Sequence, residues 1–206
     1  MKPIAIYFHA VTGGGPRNID SDYVLNVVHE QMYVLNRSKL LESATEFHVG
    51  INGEERDFLP LKILCGPKAQ VVCHGAGSLT ELPTLSMLYN WLPGHEDWYV
   101  FYHHCKGVST PYIADTWRRR MQANLVDQWK KCVHELDHGK DLCGCHLLND
   151  GRWFFGGNFF WAKAKYLMKL PAPKPNTWEN RYEAERWIGE GKPDKIKMRD
   201  MFPGWP

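Results

Sequence analysis

The chain has 206 residues, with 44% hydrophobic and 23% charged residues and a formal net charge of +2. That length holds one sizeable domain and not two comfortable ones, so residues 1–206 read as a single domain of ordinary globular composition. The charge balance does not by itself argue nucleic-acid binding, the N-terminus carries no secretory hydrophobic region, and no apolar stretch is long enough to span a bilayer. A cytoplasmic protein with reduced thiols is expected, and Cys143-Gly-Cys145 is spaced too tightly for a usual zinc pair.

Ile4 to His9 is a short apolar run before the glycine-rich stretch Thr12-Gly13-Gly14-Gly15-Pro16-Arg17, which predicts a first buried strand and its loop. Asp20 to Leu41 has helical periodicity, with Ser21 or Asp20 as N-cap. Glu46 to Ile51 is a second strand, closed by the turn signal Asn52-Gly53. Leu59 to Leu64 and Ala69 to Cys73 read as short strands or connecting segments, and Ser78 to Leu92 as a helix. Trp98 to Tyr102 is the clearest buried strand, since it consists of β-branched and aromatic residues.

Thr116 to Leu136 is the longest helix candidate, with Trp117, Met121, Leu125, Trp129 and Val133 spaced by four. Cys143 to Leu148 reads as a strand, and Phe154 to Ala162 as a dense aromatic segment followed by a short helix to Leu170. Trp178 to Gly189 reads as a further helix, and residues 190–206 as an irregular tail. Strands alternating with helices imply an α/β domain with a mostly parallel central sheet flanked by helices. In such sheets ligands bind at the carboxyl ends of the strands, where strand order reverses. Three places follow: the loop after the first strand, the loop after Trp98–Tyr102, and Gly156-Gly157.

Each carries suitable chemistry. Glycines 13–15 let backbone amides approach a ligand, and Arg17 suits a phosphate, although the stretch is neither a P-loop nor a dinucleotide fingerprint and would equally suit a surface loop. His103-His104-Cys105-Lys106-Gly107 puts titratable and cationic groups at a strand end, where Lys106 can neutralise a diphosphate and Gly107 frees the turn. Arg118-Arg119-Arg120 fan around a helix, so at least one should face the cleft, and Lys130 and Lys131 further along leave open a basic stripe for a polyanion. Gly156-Gly157-Asn158 among large aromatics suggests backbone passing close to something, oriented by Asn158. Glu183 and Glu185 on a late helix point in different directions, so at most one serves as general base.

Taken in order, Glu81-Leu-Pro-Thr84-Leu85, His103-His104-Cys105-Lys106-Gly107-Val-Ser109, Trp117-Arg118…Met121, Gly156-Gly157-Asn158-Phe-Phe-Trp161-Ala162 with Lys165-Tyr166-Leu167, and Arg181…Glu185-x-Trp187-Ile188 resemble a family of small bacterial and phage glycosyltransferase-like proteins. The resemblance covers most of the chain from Glu81 onward and implies a GT-A-like nucleotide-sugar fold. Most enzymes of that fold hold a divalent metal with an Asp-x-Asp after a central strand. Here that strand end has no Asp, so Lys106, helped by Arg118 or Arg17, is expected to meet the leaving diphosphate, with a metal on His104 as the weaker option.

The resemblance thus implies sugar transfer from a nucleotide-diphosphate sugar, a UDP-sugar first, to an acceptor hydroxyl. Glu185, or else Glu183, would deprotonate the acceptor, and Lys106 would act on the leaving group. The donor-binding residues would be His9, Thr12, Gly13, Arg17, Glu81, Thr84, His103, His104, Lys106, Gly107, Arg118, Gly156, Gly157, Asn158 and Trp161. The acceptor could be a hydroxymethylated pyrimidine in double-stranded phage DNA, or a polysaccharide or small molecule. A non-catalytic nucleotide-sugar-binding module is the reading from another class.

Overall fold

Every residue of the first strand, β1 (Ile4–Val11), is buried, which requires cover on both faces of the sheet. The computed structural model describes residues 1–12, 20–53, 55–75, 80–108, 114–174, 182–191 and 198–200. Helix α1 (Ser21–Arg37) follows, capped by the Asp20 carboxylate, which accepts from the amides of Asp22 and Tyr23. The helix expected to run to Leu41 stops earlier: Lys39 takes a left-handed conformation at φ 63°, and a short α2 (Leu40–Ser43) restarts in a new direction.

Strand β2 (Glu46–Asn52) leads to α3 (Phe58–Cys65), and β3 (Ala69–Gly75) leads to α4 (Leu82–Trp91). Leu59–Leu64, expected as a strand or connecting segment, lies within this α3 helix. Its apolar residues are packed on one side only, through Leu61 and Cys65, which leaves Leu59 and Ile63 exposed on the other. Strand β4 (Tyr99–His104) precedes α5 (Asp115–Leu125) and α6 (Trp129–Asp137). These two replace the single long helix expected. The break at residues 126–128 lets Asp127 pair with Arg37 at 2.6 Å and Trp129 donate from its indole to the Ser38 carbonyl at 3.0 Å.

The segment 143–148 is also divided. Strand β5 (Leu142–Gly144) belongs to the main sheet, whereas β6 (Leu147–Asn149) pairs with β7 (Trp153–Phe155) in a separate ribbon, and His146 between them sits at φ 62°. Then come β8 (Phe160–Lys163), α7 (Ala164–Leu167), α8 (Glu183–Arg186) with a 3-10 turn at Trp187–Gly189, and β9 (Met198–Asp200). The tail expected to be irregular therefore supplies a strand, which pairs in parallel with β5. Residues 178–181 of the expected late helix lie outside the described residues.

Among the described residues the main sheet has seven strands, in the order β3-β2-β1-β4-β8-β5-β9. Only β8 runs against the others. One face packs on α1, α3, α5 and α6 through Phe8, Phe47, Phe101, Leu125, Trp129 and Trp161. The other packs on α4, α7 and α8 through Tyr7, Leu85, Tyr102, Phe160, Tyr166 and Trp187. No helix among the described residues is long and apolar enough to cross a membrane.

The turn after α8 lies against the ribbon. A Cβ on Gly189 would sit 1.9 Å from the Trp153 carbonyl oxygen, a backbone atom that cannot swing away. Gly189→Ala should therefore cost about 1–3 kcal/mol, the usual range for overpacking, read as a lower midpoint in denaturant unfolding.

Candidate functional site at the carboxyl edge of the sheet

Strand order reverses at β1, because β2 and β3 lie to one side and β4 to the other. Ligands of open α/β sheets bind at such a point, beyond the carboxyl ends of the strands. Alternation decides which side chains reach that edge together. Tyr7 and His9 of β1 and Tyr102 and His104 of β4 point to the α4 face, with His9 and His104 paired in register. Phe8 and His103 point to the opposite face.

The residue before α4 is the hub of this edge. Glu81 Oε2 accepts from the Tyr102 hydroxyl at 2.9 Å and from Asn158 Nδ2 at 2.7 Å, and Glu81 Oε1 lies 3.4 Å from His104 Nδ1. His104 Nε2 donates to the Gly157 carbonyl at 2.9 Å. The Gly157 amide in turn donates to Glu185 Oε2 at 3.3 Å, and Glu185 Oε1 lies 3.6 Å from Lys106 Nζ. A continuous chain thus runs from the buried Tyr102 to the Lys106–Glu185 pair. Gly157 at φ 86° and Asn158 at φ 52° make the turn that serves both His104 and Glu81. A Cβ on Gly157 would also lie 2.8 Å from Met121 Sδ, the end of a flexible side chain, so it is the positive φ that calls for glycine there.

Lys106 is held from two sides, by Glu185 and by the Trp117 ring, whose centroid is 4.4 Å from Nζ. Its side chain is 18% exposed and that of Glu185 is 11%, so the pair is largely shielded from solvent screening. His9 Nδ1 is 2.8 Å from Thr84 Oγ1, an approach open only because residue 50 is glycine; a Cβ there would lie 2.0 Å from that hydroxyl. His9 Nε2 and Asn158 Oδ1 are buried and have no hydrogen-bond partner among the described residues.

Other expected residues fall elsewhere. Arg118 is buried and engaged by Asp115 at 2.6 Å and Glu30 at 3.3 Å, and it donates to the Lys106 carbonyl at 2.9 Å. It supports the Lys106 turn and is not open to a diphosphate, because its fork is already filled. His103 stacks on Phe8 with centroids 4.5 Å apart, and Trp161 donates its indole to the Leu125 carbonyl, so both are core residues of the far face. Glu183 is bound by Arg152 and Arg186 away from Lys106, which leaves Glu185 as the carboxylate at the edge. Gly107, at φ 99°, lies 3.2 Å (from its would-be Cβ) from the Arg118 guanidinium, and Gly156 packs under Trp117 and Leu148. Thr12 is buried beside Gly53 at the end of β1. Gly13 and Arg17 lie outside the described residues.

The chain also brings in residues that spacing gave no reason to choose. Asn52, fully buried, donates to the Thr80 carbonyl at 2.7 Å, and His74 lies beside Gly50 and Thr84. Asn52 was legible only as half of a turn signal; its place at a parallel strand's carboxyl end was the clue. A cleft lined by Leu82, Leu85, Pro171, Ala184, Trp187 and neighbours draws on α4, α8 and the segment 171–174, and none of the hub residues lines it.

A divalent metal does not fit these groups. Both nitrogens of His104 are engaged, by Gly157 and Glu81, and no three His, Cys, Asp or Glu side chains come together as a ligand set among the described residues.

Burial governs the charges. It pushes the Glu81 carboxyl up to about 7, against the donations from Tyr102 and Asn158 and the charge of Lys106. It holds His104 down at about 3, with Lys106 acting in the same direction, and takes His9 well below the usual imidazole range. The 3.4 Å contact would suit an ion pair, yet desolvation opposes both charges, so below neutral pH it is a contact of two neutral groups. The folded chain thus keeps a proton on Glu81 that the unfolded chain releases near 4.5. This contribution to stability is complete below that value and is lost as pH rises towards about 7. Glu81→Gln removes the titration, so its melting temperature should gain on the parent's across that interval.

Among solved structures, the crystal structure of 4-diphosphocytidyl-2C-methyl-D-erythritol synthase from Anaerococcus prevotii is similar over 97% of this chain and 87% of its own, with a TM-score of 0.50 and 15% identity. At that identity the likeness is one of fold, a Rossmann-like α/β sheet. No curated protein matches the sequence. Residues 14–202 match the family described as a domain of unknown function, DUF8361, and the chain belongs to that family.

Proposed function

We propose that this protein is a glycosyltransferase that moves a sugar from a nucleotide-diphosphate sugar to an acceptor hydroxyl. The observation that carries the reading is the meeting of Lys106 and Glu185, from segments 79 residues apart, at 3.6 Å beside the switch point of the sheet. A cation for a departing diphosphate and a carboxylate for an acceptor proton are the two groups this displacement needs.

With no ligand, each holds the other. An incoming diphosphate competes for Lys106 and releases Glu185, so donor binding arms the base. Glu185 then takes the acceptor's hydroxyl proton and the acceptor oxygen bonds to the anomeric carbon. The bond from that carbon to the diphosphate oxygen breaks, and the nucleoside diphosphate leaves with the electron pair beside Lys106. His9 Nε2 and Asn158 Oδ1, which lack partners among the described residues, are the groups we assign to sugar hydroxyls.

A UDP-sugar is the donor we favour, and a hydroxymethylated pyrimidine in double-stranded DNA the acceptor, within the cytoplasm of a host cell. Exposed Arg119, Arg120, Lys130 and Lys131 on α5 and α6 support a polyanionic acceptor. A second reading, transfer of a nucleotidyl group, is favoured by the fold shared with the cytidyl synthase.

A thermal-shift panel of nucleotide sugars tests donor binding, since a true donor at 100 times its Kd stabilises the fold by about 2.7 kcal/mol. Acceptor-free hydrolysis of that donor then separates an enzyme from a binding module, and release of a nucleoside diphosphate rather than a sugar phosphate separates glycosyl from nucleotidyl transfer. Lys106→Ala should lower kcat at least ~100-fold, the scale of losing a charge-stabilising donor; normal turnover by this variant refutes the assignment. Glu185→Gln should cost ~100-fold or more, and Glu183→Gln far less.

A further inference from the structure

Glu81 touches neither Lys106 nor Glu185, yet it is linked to both through His104 and the Gly157 peptide. Its Oε2 is an acceptor on geometric grounds, because Tyr102 and Asn158 both donate to it. With Oε2 occupied by two donors, the proton of the neutral acid is placed on Oε1, which faces His104 Nδ1 at 3.4 Å. The Gly157 carbonyl can only accept, so His104 Nε2 must carry the ring proton and a neutral ring then offers a lone pair at Nδ1.

We propose that Glu81 is a positioning residue for the Lys106–Glu185 pair: as a neutral acid it donates from Oε1 to His104 Nδ1 and so fixes the ring with its proton aimed at the Gly157 carbonyl. The Gly157 peptide, pinned at its oxygen, presents its amide to Glu185 Oε2. The titratable and charged groups that face Glu81 and His104 are Tyr102, Cys105 and Lys106 from β4 and its turn, His9 from β1 and Glu185 from α8, while His103 acts on His104 from the opposite face of the sheet. Loss of the Glu81 proton to solvent sets a carboxylate against a lone pair. The neutral ring regains that bond by exchanging its proton from Nε2 to Nδ1, which leaves the Gly157 carbonyl without its donor and loosens the Glu185 end of the chain.

The assignment stands apart from the proposed reaction; its bearing on turnover rests on that reading. Gln at 81 reproduces the neutral acid, since its carbonyl accepts from Tyr102 and Asn158 while its amide donates to Nδ1. Nitrogen-15 NMR of the His104 ring in the full chain tests this on either side of the Glu81 midpoint, about pH 7. The parent should show the Nε2–H form below and the Nδ1–H form above, with the Gly157 amide resonance shifting at the same midpoint. Glu81→Gln should keep the Nε2–H form throughout and leave the Gly157 amide unshifted; Glu81→Ala, a second variant, should lose the coupled transition altogether. A parent ring that keeps one tautomer across the range, or a Glu81→Gln protein that behaves like the parent, overturns the proposal. If the parent turns over no nucleotide sugar, the reaction assigned above fails while the spectra still decide this point. If it does, Glu81→Gln should abolish the alkaline fall in kcat, and an unchanged pH profile refutes the positioning role.

Discussion

A carboxyl group sealed under the carboxyl edge of a parallel sheet must either find donors for its charge or stay neutral, and the arrangement around Glu81 does both. Two donors converge on one oxygen, and the other oxygen meets an imidazole nitrogen. Four separate parts of the chain depend on that one group: the start of α4, the end of β4, the turn between β7 and β8, and through Gly157 the short helix α8. Without these bonds, burying a carboxyl would cost several kcal/mol, so the network is both what holds the edge together and what makes it sensitive to a proton.

The edge is possible because the two faces of the sheet are filled differently. On the α1 side, Phe8, Phe101, His103 and Trp161 stack into a continuous aromatic layer. On the α4 side, the residues one step along the same strands are Tyr7, His9, Tyr102 and His104, of which His9, Tyr102 and His104 carry the polar atoms of the carboxyl edge. A shift of one residue in β4 would exchange these sets, placing His103 at the site and burying His104 in the aromatic layer. Register is therefore the constraint on which the candidate site is built. The Cys105 thiol, which accepts from the Val11 amide at 3.2 Å, helps fix it where β1 and β4 end.

This explains what could be read from the sequence. Most strands and helices of the α/β order were legible, because Ile4–Val11 and Trp98–Tyr102 are apolar enough to demand burial on both faces and α1 carries its own cap. The segment Phe58–Cys65 was not, since a short apolar run fits strand and helix equally and only the packing of Leu61 and Cys65 against α1 decides it. The spacing of Trp117 to Val133 by four persists through the break at 126–128, so periodicity alone could not reveal two helices. Lys106, Glu185, Asn158 and Glu81 were found as motif members. Which of His103 and His104 belonged with them depended on strand phase, which a pair of adjacent histidines does not disclose.

Arg118 serves the backbone of the Lys106 turn and not a phosphate. A cluster of three arginines near a strand end invites a reading as phosphate ligands, yet the middle of the helix face is where a buried guanidinium needs partners of its own. Asp115 and Glu30 supply them, and its remaining donor goes to the carbonyl of Lys106. The positive charge thus acts at one remove, by fixing the backbone that carries the lysine. Lys106 is in consequence positioned from three directions: Arg118 holds its peptide, Trp117 lies against its ammonium, and Glu185 faces its charge. Of these only the carboxylate contact is one that an anion could replace without unpacking the core. If the pair exchanges partners at all, it is Glu185 that gives way.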